Sequence, residues 1–147
     1  MPLFYLDASA VVKLVIDEPE SDALRIFVGG ADLVSCELLL TEVPRAIRRA
    51  AARDERLRLE RLISRAGWAI DSLALVPLDR ALLLAAGALA EPALRALDAI
   101  HVAAAADLGP MDAFVTYDDR QAAAARLAGM RTMSPRPRPT PDGDQPG

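Results

Sequence analysis

In 147 residues the chain has one cysteine, one histidine, one lysine and six aromatic side chains. A lone Cys36 excludes a disulfide framework and a cysteine-built zinc site within one chain. Six scattered aromatics (Phe4, Tyr5, Phe27, Trp68, Phe114, Tyr117) are too few for a base-stacking platform and read as core or rim. Long apolar runs are missing too. The longest, "ALLLAAGALA" from Ala81 to Ala90, falls well short of the ~20 residues a membrane helix needs. The first residues, "MPLFY", lack the basic stretch of a secretion signal. Together these absences predict a soluble, cytoplasmic protein with no membrane partner.

What is present suits one domain. At this length a chain buries roughly two-thirds of its unfolded surface, and 52% hydrophobic residues supply the core. Short apolar runs at Leu3–Leu6, Asp32–Ser35, Leu73–Leu78, Ala113–Thr116 and Met130–Met133 predict strands. Helices are predicted at Ser9–Ile16, from Pro19 to about Val28, at Arg80–Ala90, Asp98–Leu108 and Asp119–Ala128, and as a pair within Cys36–Gly67. Pro44 predicts a kink there or a helix start near Thr41. Strands without polar alternation, interleaved with helices, argue for a parallel sheet covered on both faces. The last stretch, "SPRPRPTPDGDQPG" from Ser134, holds five of the eleven prolines. It reads as an extended or disordered tail, 134–147, outside a domain at 1–133.

Four acids stand at or near element ends: Asp7 after the first strand, Glu42 near the start of an arginine-rich helix, Asp98 at the opening of a later helix, and Asp118 after the fourth strand. Singly, each has a plain explanation as a helix cap, an ion-pair partner or a turn residue. Gathered at one sheet edge, they would repel one another unless a hard divalent cation offsets the charge. The net charge of −4 argues against a nucleic-acid partner, but Thr41–Arg65 carries eight arginines against four acids. Glu42, Arg45, Arg49 and Arg53 are spaced to share one helix face, a stripe suited either to RNA phosphates or simply to solvent. His101, three residues after Asp98, fits a supporting or packing role better than that of a general base. Apolar residues around Leu24, Phe27, Leu38, Leu39 and Ile47 pack in a core or form, in part, a docking face.

The segments "LDASAVVKL" (Leu6–Leu14), "TEVPRAIRR" (Thr41–Arg49), "LRALDAIHVAAA" (Leu94–Ala105) and "FVTYDDRQAAAA" (Phe114–Ala125) resemble, in order and spacing, the PIN-domain ribonucleases, and most closely the VapC toxins of bacterial toxin–antitoxin pairs. The resemblance implies a three-layer α/β/α fold around a parallel sheet of about five strands. It further implies a Mg²⁺- or Mn²⁺-dependent endoribonuclease whose acids are Asp7, Glu42, Asp98 and Asp118. Asp7 and Asp98 would ligate the metal, with Glu42 and Asp118 direct or through water, and Ser9 and Thr116 would hold the carboxylates. A VapB-type antitoxin, a homodimer, and a heterotetramer or larger assembly with that antitoxin are also implied. Alternatives are a PIN-type RNA-processing nuclease outside any such pair, or a catalytically silent PIN scaffold that only binds a partner. Phosphoryl-enzyme chemistry is disfavoured, because Ser9 stands where a second aspartate is wanted and the only lysine, Lys13, comes early.

Overall fold

The computed structural model describes residues 1–141; the remainder of the predicted tail, 142–147, lies outside the described residues. Elements run β1 (Leu3–Leu6), α1 (Ala8–Val15), α2 (Ser21–Val28), β2 (Asp32–Cys36), α3 (Leu39–Arg53), α4 (Leu59–Asp71), β3 (Ala74–Val76), α5 (Arg80–Gly87), α6 (Ala96–Asp107), β4 (Ala113–Val115), α7 (Asp119–Leu127) and β5 (Thr132–Met133). All five strands are parallel, in the order β3-β2-β1-β4-β5.

Side chains alternate across each strand, so the sheet divides the core in two. Phe4 and Leu6 of β1 join residues of α1 to α4 on one face. Tyr5 between them joins Phe114 and the alanine-rich α6 and α7 on the other. Small alanines let those helices approach the sheet closely, while Phe4 stacks on Phe27 beneath the opposite layer. The result is the three-layer α/β/α arrangement.

Several boundaries differ from the sequence expectation. Cys36 closes β2 and pairs with Val76, where a helix start had been predicted, because a small apolar side chain suits a buried central strand. Helix α3 begins at Leu39 and carries Pro44 inside it. Its first turn closes with three-residue bonds from Leu40 to Glu37 and from Thr41 to Leu38. Leu24, Leu39 and Ile47 are fully buried, and the partly buried Phe27 and Leu38 pack against the core, so most of this group serves packing. The tail leaves β5 without regular structure, yet its first residues are fastened: Ser134 Oγ donates to the Thr116 carbonyl at 2.5 Å, and Tyr117 Oη donates to the Pro135 carbonyl at 2.7 Å.

The chain winds from β1 outward to β3, then crosses back to β4 on the other side of β1. The connections after β1 and β4 therefore diverge. A crevice opens at their carboxyl ends, where α/β sheets bind ligands.

Candidate functional site

Asp7 and Thr116 stand at that divergence, one residue beyond β1 and β4. Asp7 is 2% exposed. Its Oδ1 caps α1 by accepting the Ala10 N–H at 3.0 Å and also accepts Ser9 Oγ–H at 2.7 Å. Its Oδ2 accepts Thr116 Oγ1–H at 2.5 Å. With two lone pairs per oxygen, only one on Oδ2 remains uncommitted to these donors. Burial pushes the Asp7 carboxyl above its ordinary pKa, and the Thr116, Ser9 and Ala10 donors only partly offset that. Asp7 is thus both cap and candidate ligand.

The two hydroxyls are themselves held. Tyr117 N–H donates to Ser9 Oγ and Asp118 N–H donates to Thr116 Oγ1, each at 3.0 Å. Asp118 caps α7, its Oδ1 accepting the N–H groups of Arg120 and Gln121 at 2.9 and 3.1 Å. Gln121, which the sequence reading passed over, reaches across to donate to the Asp98 carbonyl at 3.3 Å. Its spacing from Asp118, matching the third residue of a capping box, was the available signal.

Asp98 lies in the first turn of α6, not at its opening, since the helix starts at Ala96. Burial raises its pKa, and the neighbouring carboxylates of Asp118 and Glu42 raise it further. Three acids from α3, α6 and the start of α7 thus share one field. Among the described residues, no group of three His, Cys, Asp or Glu side chains is close enough to enclose a metal ion. The donor set is nevertheless all oxygen and mutually repulsive. That suits a hard cation such as Mg²⁺, which takes one or two carboxylates and keeps several waters.

Glu42 is aimed by His101. The imidazole is 1% exposed, with Nε2 at 2.6 Å from Glu42 Oε1 and Nδ1 at 2.8 Å from Tyr5 Oη. A carboxylate only accepts, so Nε2 carries the proton whatever the ring's charge. Burial alone would depress the ring's pKa, but contacts with Cys36 and Glu42 outweigh it and lift the value to about 10. Tyr5 and Cys36, invisible as site residues in sequence, form the floor beneath this pair.

A groove of about 540 Å³ lies between α1 and α3, bordered by Ser9, Lys13, Glu18, Glu42, Arg45, Arg49 and Tyr117. Two arginines of the predicted stripe thus share a groove with Glu42, while Arg53 lies beyond its lining. An adjoining cleft of about 400 Å³ holds Asp98, Asp118, Asp119, Arg95 and Arg120. Tyr117 borders both and forms the ridge between them. Asp119 is exposed, whereas Asp118 is half-buried and close enough to Asp98 to perturb it.

Acids with their hydroxyl supports stand at the switch point of a five-stranded parallel sheet, with two arginines in the groove alongside. The chain belongs to the PIN domain family, whose model matches residues 4–127. It is 40% identical over 139 residues to Ribonuclease VapC46 of Mycobacterium tuberculosis (strain ATCC 25618 / H37Rv), covering 92% of this chain and 99% of the relative. Ribonuclease VapC47 of M. tuberculosis (strain CDC 1551 / Oshkosh) is 34% identical over 139 residues, covering 90% of this chain and 97% of the relative. Among solved structures, the crystal structure of PAE2754 from Pyrobaculum aerophilum superposes with a TM-score of 0.64. At 19% identity, with 89% of this chain and 90% of that one covered, it speaks to the fold alone.

Proposed function

We propose that this chain is a metal-dependent endoribonuclease of the VapC type, acting as the toxin of a toxin–antitoxin pair. The observation that carries the reading is the placing of Asp98 and Asp118 in one cleft that adjoins a groove lined by Glu42, Arg45 and Arg49. Kinship with VapC ribonucleases over nine-tenths of the chain supports the same reading.

Asp7 and Asp98 would hold the metal, with Glu42 and Asp118 completing the shell directly or through water. Bound there, Mg²⁺ or Mn²⁺ supplies a water acidic enough to attack near neutral pH and draws charge from the phosphoryl oxygens. Ser9 and Thr116 fix the Asp7 carboxylate. His101, fixed by Tyr5, keeps Glu42 pointed at the crevice. Arg45 and Arg49 orient the RNA backbone along the groove by fork-shaped phosphate contacts. A VapB-type antitoxin and a second copy of the chain are its partners.

Purified protein incubated with cellular RNA is expected to cleave it in Mn²⁺ or Mg²⁺ and to stop with EDTA. Cleavage that persists in EDTA would remove the metal from the mechanism. Arg45→Ala with Arg49→Ala is expected to weaken RNA binding and flatten the slope of log affinity against log salt by about 0.7 per lost contact. An unchanged slope would return the stripe to solvent.

His101→Gln keeps an N–H near the position of Nε2, whereas His101→Leu leaves the Tyr5 hydroxyl and Glu42 unpaired. The leucine variant is expected to lose about 1–3 kcal/mol of stability and most cleavage. The glutamine variant should retain more of both, as thermal denaturation and a cleavage time course would record. Equal damage from the two would mean that the Nε2–Glu42 bond does not matter.

A further inference from the structure

The groove's two sides differ in sign. On α3, Arg45 and Arg49 are exposed and enter no ion pair among the described residues. Across from them, Lys13 is locked between Glu18 and Glu20, the latter at 3.2 Å. One lysine against two glutamates leaves that side net negative, which would repel an RNA strand entering beside Tyr117.

The tail corrects this. Beyond the Tyr117–Pro135 bond, Arg136 lies 3.5 Å from Glu20 and 5.8 Å from the centre of the Tyr117 ring, whose other cationic neighbour is Lys13 at 4.9 Å. Its side chain is 58% exposed, so the guanidinium keeps donors facing solvent. Arg138 follows two residues on, also exposed. Pro135, Pro137, Pro139 and Pro141 alternate through this stretch. Proline fixes its own φ and pushes the preceding residue into extended backbone, so both arginines ride on a stiff strand. At a polyproline rise they are spaced roughly 6 Å apart along it, on the scale of one nucleotide step in an extended strand. Little backbone entropy is left to lose on binding.

We propose that the Pro–Arg segment Pro135–Pro139 is a strap that binds the phosphate backbone of single-stranded RNA on the side of the groove opposite Arg45 and Arg49. Arg136 neutralises the Glu18/Glu20 side, and Arg138 makes it attractive. Tyr117 is the hinge point that ties the strap to the ridge between groove and acidic cleft. The proposal deepens the ribonuclease reading above and rests on it.

The test uses the full chain in EDTA, so that binding is measured without cleavage, with a labelled single-stranded RNA of mixed sequence as probe. Arg136→Ala with Arg138→Ala is expected to weaken binding roughly three- to tenfold and to flatten the salt slope by about 1.4. Arg136→Glu should weaken it further, and Arg136→Lys should restore most of the affinity. In Mn²⁺ the double variant is expected to raise KM for RNA in step with the weakened binding. Unchanged affinity and slope in the double variant overturn the strap, as does weakened capture of the antitoxin with RNA binding intact. An unsubstituted chain that binds the probe but never cleaves RNA in Mn²⁺ sinks the ribonuclease reading instead.

Discussion

Replacing Asp98 with asparagine is expected to lower RNA cleavage by about 10²–10³-fold while leaving the metal-free protein as stable as before, or slightly more so. The activity loss follows from removing a charge aimed at the reacting centre, where one such group is worth roughly that factor. The stability follows from what Asp98 does in the fold. It lies in the first turn of α6, partly desolvated and facing the carboxylates of Asp118 and Glu42. A neutral side chain of the same shape relieves that repulsion, and because the site is open to water the gain stays within about 1 kcal/mol. Adding Mn²⁺ should then reverse the order of melting temperatures, since a ligand stabilises only the protein that binds it. Thermal denaturation of both proteins in EDTA and in Mn²⁺ makes the comparison. A variant that melts well below the unsubstituted protein in EDTA would show Asp98 to be structural.

Asp7 should behave in the opposite way. Asp7→Ala removes the α1 cap and leaves the Ala10 N–H and the hydroxyls of Ser9 and Thr116 without their acceptor. A lost cap costs about 1 kcal/mol, and buried donors left unpaired cost about 1–3 kcal/mol more. A loss of roughly 2–4 kcal/mol in denaturant unfolding is therefore expected alongside the loss of cleavage. Asp7→Asn is milder, because the hydroxyls can rotate and the Asn oxygen can still cap Ala10. It should keep most of the stability yet still fail to cleave. An active Asp7→Asn variant would remove Asp7 from the metal site.

The layer order and the parallel sheet were legible because their signal is local: apolar runs without alternation, separated by helix-length segments. Asp7 and Asp118 were legible for the same reason, as acids one and three residues beyond strands β1 and β4. Cys36 was misplaced because a single small apolar residue at a strand end carries no periodicity. The Tyr5–His101–Glu42 chain was only half visible. His101 was suspected from its spacing to Asp98, but Tyr5 alternates to the α6 face of β1, and only the three-dimensional crossing of β1, α3 and α6 joins the three. The fastening of Pro135 to Tyr117 is likewise a product of packing between distant segments, which no spacing rule encodes.

Asp7 and Thr116 are joined across 109 residues of sequence. A polypeptide emerging from the ribosome carries Asp7 almost at once. Thr116, Asp118 and the Tyr117 ridge follow only after β2, β3 and β4 have been made. Parallel pairing of β1 with β4 is a late, non-local event in folding. Until β4 has been made, then, the chain cannot assemble the crevice. The same winding that creates the site delays its appearance until β4 has joined β1.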